Sequence, residues 1–141
     1  MSKHKKDKKI ENIEIIETIV PKFNNFSIAE EVYKDNPEKL EHYKKQRETR
    51  GFDDTETWHL DKTFAHFMIP RLKRFVEVNI CLPYGETDVS YNKKLRTIIT
   101  SLEEYYSDDN IEITQEEEKR LHENARNAIQ VLSELWFSLW W

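Results

Sequence analysis

His59 and His66 stand seven positions apart, two turns of a helix, with Asp61 between them. A divalent metal needs three or four converging ligands, and one helix seldom supplies them all. These histidines therefore read as edge-of-domain side chains, and no metal site is assigned. Glu118 and His122 are spaced i, i+4, whereas di-iron bundles use Glu-x-x-His at i, i+3, repeated on a second helix. Lys119 follows Glu118 and no second copy exists, so this pair reads as a solvated acidic first turn. The single cysteine, Cys81, has no histidine or base close in sequence. One cysteine makes no intramolecular disulfide and excludes a thiolate-rich zinc site. It suits a reducing compartment. No catalytic residue and no cofactor are assigned.

The strongest recognition chemistry lies around Arg71 and Arg74, neighbours at i, i+3. In one reading they form an anion clamp for a phosphate, a nucleotide or an acidic surface, with Trp58 offering a stacking face and His59 a hydrogen bond. In the other, they lie along the helix and pair with carboxylates such as Glu77. The second candidate surface is the end of the chain, Leu135-Trp136-Phe137-Ser138-Leu139-Trp140-Trp141. It is apolar on nearly every side, and tryptophan is enriched where proteins meet. Trp136, Phe137, Trp140 and Trp141 are the candidate contacts for a homo-oligomer.

The elements that must position these residues read as helices. The chain has 141 residues, 35% charged, with four Trp, six Tyr, seven Phe and only two Gly. So many aromatics argue for a packed core. Scarce glycine favours helices and argues against phosphate-cradling glycine loops. The net charge of −5 disfavours nucleic acid as a general partner. No apolar run reaches the ~20 residues of a membrane span, and none of signal-peptide length follows the basic start. A membrane partner is therefore not expected, and the expected location is the cytoplasm.

Residues 1–9 read as a flexible basic tail. Residues 10–26 form an extension in which Ile10, Ile13, Ile16 and Ile19 fit a helical stripe, while the isoleucine content also suits a strand. The remainder, 27–141, reads as one helical domain. Ser27-x-x-Glu30 has the form of a capping box opening a helix through Lys34. Asn36-Pro37 opens a second helix and Gly51 closes it. Its narrow stripe, Leu40 and Tyr43, marks it as peripheral.

Thr57–Phe75 follows as a central spine, with Asp54 or Asp61 as its cap and Pro70 kinking it without stopping it. A third helix, about 89–106 with Asp88 or Ser90 as cap, places Tyr91, Leu95, Ile98, Ile99, Leu102 and Tyr105 on one side. The last, opened by Thr114 and Glu117, runs to the chain end on Leu121, Ala125, Ala128, Leu132, Leu135 and Leu139. The expected fold is all-α, a compact bundle of four to five helices.

Thr57-Trp58, Leu60-Asp61, the Pro70-Arg71-Leu72-Lys73-Arg74-Phe75 step and the closing Ser138-Leu139-Trp140 resemble a family of small helical proteins. Tailed bacteriophages and related mobile elements encode that family. The resemblance covers about the last 90 residues. His59 stands where the family has an amide side chain, and Tyr91 stands where it has tryptophan. The family carries no established activity. The resemblance implies a helical fold and a phage context in the host cytoplasm or the virion. The expected function is that of a non-catalytic accessory protein acting on a host or phage protein, with the C-terminal aromatic helix as a homo-oligomer contact. The alternative is a sequestering protein for a small ligand or nucleotide signal.

Overall fold

The computed structural model describes residues 26–107 and 112–140. The expectations for the tail 1–9, for 10–20 and for Trp141 fall outside these. The described residues contain five α-helices and no strand, so the fold is all-α. In chain order they are α1 (Ala29–Val32), α2 (Pro37–Arg50), α3 (Leu60–Val78), α4 (Asp88–Tyr105) and α5 (Gln115–Leu135). Short 3-10 turns occupy Asp54–Thr57 and Trp136–Ser138. The chain divides into two compact units, Met1–Thr63 and Phe64–Trp141, where the sequence leads to one domain over 27–141.

The first unit is held by polar contacts more than by apolar packing. α2 buries no residue, in keeping with its narrow stripe. Asn36 caps it by accepting from the Lys39 amide at 3.1 Å, and Gly51 closes it at φ +87°. A residue with a Cβ is strained at that angle. Around Tyr33 a small aromatic cluster forms. Tyr43 stacks on it at 5.5 Å and Trp58 meets it edge-on at 6.2 Å.

Ser27 stands at the start of α1 as its spacing suggests, one residue ahead of the N-cap position. α1 begins after Ile28, which makes no side-chain cap bond; the Ser27 hydroxyl accepts from the Ala29 amide, the first of α1, at 3.2 Å and donates to the Asp53 carboxylate. Asp53 is fully buried. Its two oxygens accept from Ser27, from the amide and hydroxyl of Thr55, and from the Arg47 guanidinium. Glu56 completes a capping box by accepting from the Asp53 amide at 2.7 Å, and it also accepts from the Phe26 amide at 3.2 Å. This clasp ties residues 26–28 and the end of α2 to the turn at 53–56.

The second unit has an apolar core. Leu72, Tyr91, Leu95, Ile98, Ile99, Leu102, Ala128, Leu132 and Leu135 form one buried cluster, with Met68, Phe75, Val76 and Leu139 packed against it. Most of the faces expected of α4 and α5 is buried, while Tyr105 and Leu139 are half-buried and Leu139 lies beyond the end of α5. α3 runs through Pro70. Of its own residues only Ala65 and Leu72 are buried, and the aromatics at its start lie open to solvent.

Three expected helix ends are displaced. Thr87, not Asp88 or Ser90, caps α4 and shares a reciprocal box with Ser90. Neither Asp54 nor Asp61 caps α3, which starts at Leu60 with Asp61 in its first turn. At the C-terminus α5 stops at Leu135 rather than running on, and a 3-10 turn follows. Ser138 explains the change. Its hydroxyl donates to the Leu135 carbonyl at 2.6 Å and pairs with the buried Tyr91 hydroxyl at 2.9 Å. Replacing Tyr91 with Phe keeps the ring and removes this anchor. The expected loss is about 1 kcal/mol in urea unfolding, with faster amide exchange at 136–140.

Candidate functional site

Arg71 and Arg74 sit one turn apart on α3, and both are engaged. The Arg71 guanidinium lies 3.9 Å from the centre of the Phe67 ring and donates to the Phe67 carbonyl at 2.9 Å. Arg74 pairs with Glu77 at 2.9 Å. The clefts described below are lined by other side chains. Trp58 and His59 belong to the first unit. Trp58 is half-exposed and spends one edge on Tyr33, while His59 is exposed. Among the described residues no three His, Cys, Asp or Glu side chains gather as a metal would require. No helix among them is long and apolar enough to cross a membrane.

The C-terminal candidates behave differently. Phe137 is 91% exposed, and Trp136 and Trp140 are about half or more exposed. Trp136 and Phe137 help line a cleft of about 350 Å³, together with Phe64, Ile129, Leu132 and Ser133. Five of these six are apolar, and the walls come from α3, α5 and the turn after it. Local geometry puts them there. Ending α5 at Leu135 swings Trp136 and Phe137 onto a 3-10 turn, whose side chains follow a tighter period than those of the helix before it. Ser138, bonded to Tyr91, holds the turn in place. Phe64 and Ile129 were not singled out as candidates. Both sit in long apolar patterns, where an exposed position looks the same in sequence as a buried one.

A second concavity runs along the outside of the α4–α5 pair. Two contiguous clefts of about 710 and 480 Å³ share Lys93, Thr97, Ser101 and Asn124. In the sequence, Lys, Arg, Thr and Asn at these positions look like a solvated helix face.

Comparison of the chain with models of known protein families, with characterised proteins and with solved structures finds no match.

Proposed function

We propose that the chain is a non-catalytic accessory protein of phage type, acting in the host cytoplasm through protein–protein contact and self-associating through the aromatic end of its second unit. The phage context rests on the motif residues of Thr57–Phe75 and Ser138–Trp140. The observation that carries the contact reading is the open cleft beside Phe137. Exposed apolar patches of linked aromatics mark interaction sites, and large aromatics supply most of the energy where proteins meet. A protruding ring beside an apolar cleft is self-complementary. In a two-fold pair each copy's Phe137 fills the other's cleft, which is the geometry of an isologous interface. Arg71 and Arg74, already engaged within α3, favour this reading over ligand sequestration.

Gel filtration with light scattering tests it. The wild-type chain is expected at twice its 17.1 kDa mass. The double substitution Trp136→Ser, Phe137→Ser is expected at the monomer mass with unchanged helicity, since both side chains lie outside the buried core. A wild-type monomer at high concentration removes the self-association.

A further inference from the structure

We propose that the groove along the outer face of α4 and α5 is a docking site for an acidic amphipathic helix of a partner protein. Lys93, Arg96, Asn92, Asn124 and Asn127 all line it, and none has a side-chain partner among the described residues. Each carries N–H donors. The one carboxylate in the lining, Glu104, faces Arg120 at 4.0 Å. Lys94, at the rim, is taken by Glu86. What stays uncommitted is therefore two cations and three carboxamides.

The shape suits a helix. On α4 the lining residues 93, 97, 101 and 104 repeat every three to four positions, as do 120, 124, 127 and 131 on α5. Such stripes give two walls about 16 Å long. The floor of the narrower half is apolar, made by Ile98, Ala128 and Val131. An apolar stripe on the occupant fits that floor and acidic residues flanking it meet Lys93 and Arg96, the usual helix-in-groove arrangement. Charge selects the sign of the partner and speeds its approach.

Nucleic acid fits less well. No aromatic side chain lines the groove for a base to stack on, stacking being the usual grip on single strands. Two free cations also neutralise few phosphates on a chain of net charge −5.

The test is fluorescence anisotropy with the full-length protein. The probe is a fluorescein-labelled amphipathic peptide helix of about four turns, with Leu and Ala on one stripe and Glu on both flanks. Saturable binding that weakens with added salt is expected. The double substitution Lys93→Glu, Arg96→Glu should raise Kd about tenfold or more, as loss of ~1.4 kcal/mol implies. Thr97→Tyr, which fills the groove without changing charge, should weaken binding as well. All three positions are exposed, so circular dichroism should not change. The Trp136→Ser, Phe137→Ser chain should bind like wild type, which separates this site from the aromatic end. Absence of binding, or binding indifferent to both groove variants, overturns the proposal. Displacement of the peptide by a single-stranded oligonucleotide at lower concentration assigns the groove to nucleic acid and overturns it too.

Discussion

Leu95→Ala should lower the unfolding free energy of the second unit by about 3 to 4 kcal/mol. Leu95 has no exposed surface and lies in the cluster shared by α3, α4 and α5. Truncation forfeits the transfer energy of the lost carbons and leaves a cavity that rigid neighbours fill only in part. Ile98 and Leu102 follow it on the same face of α4, and both are buried, so the site has little room to collapse. Leu95→Met conserves volume and should cost under about 1.5 kcal/mol. Urea unfolding followed by far-ultraviolet circular dichroism measures both. A loss below about 1 kcal/mol for the alanine variant would mean that α4 is not the centre of the core.

Asp53→Ala should destabilise the first unit by about 3 kcal/mol, the lower end of the range for breaking a buried pair. The lower end applies because the Arg47 side chain keeps 19% of its exposure. Removing the carboxylate strands Arg47, Ser27 and Thr55 together and unties three segments at once. The same carboxylate sets a pH dependence. Burial pushes the Asp53 carboxyl up, but hydrogen bonds from Ser27, Thr55 and Arg47 together outweigh it and hold it below the usual aspartate range. A depressed folded-state pKa means stability that is fully present above the unfolded value of about 3.9 and is lost as pH falls through the lower, folded value. Acid titration should therefore loosen the first unit only in strong acid, read by Trp58, the tryptophan against Tyr33. In Asp53→Ala that acid-dependent step should shrink.

The apolar faces of α4 and α5 could be read directly from the chain, because buried Leu, Ile and Ala recur there every three to four positions over about five turns. Asn36 with Pro37, Gly51 and Thr114 were legible for a related reason, since capping chemistry is local. The Asp53 clasp was less so. Its Asp-x-x-Glu spacing resembles a capping box, yet nothing local says that Arg47 and Ser27 will close over it. Ser27 shows the same limit: its hydroxyl meets the first amide of α1, as the spacing suggests, and also serves the distant Asp53 carboxylate, which only tertiary placement decides. The spine of α3 shows the limit of periodicity. Phe64, Phe67, Met68 and Leu72 share one pattern, but only Leu72 among them is buried. The aromatic end stood out in sequence by composition, whereas the cleft beside it needed Phe64 and Ile129, brought there by packing.

The proposed self-association through this end would make a local demand on the backbone as well as on mass. Hydrogen–deuterium exchange at rising protein concentration measures it most directly. Exchange at residues 133–140 should slow as concentration increases, while exchange across α2 and the outer face of α4 stays constant. In the Trp136→Ser, Phe137→Ser chain the concentration dependence should vanish. Exchange at 133–140 that is the same at every concentration, or concentration-dependent protection confined to other segments, would contradict the assignment of this surface.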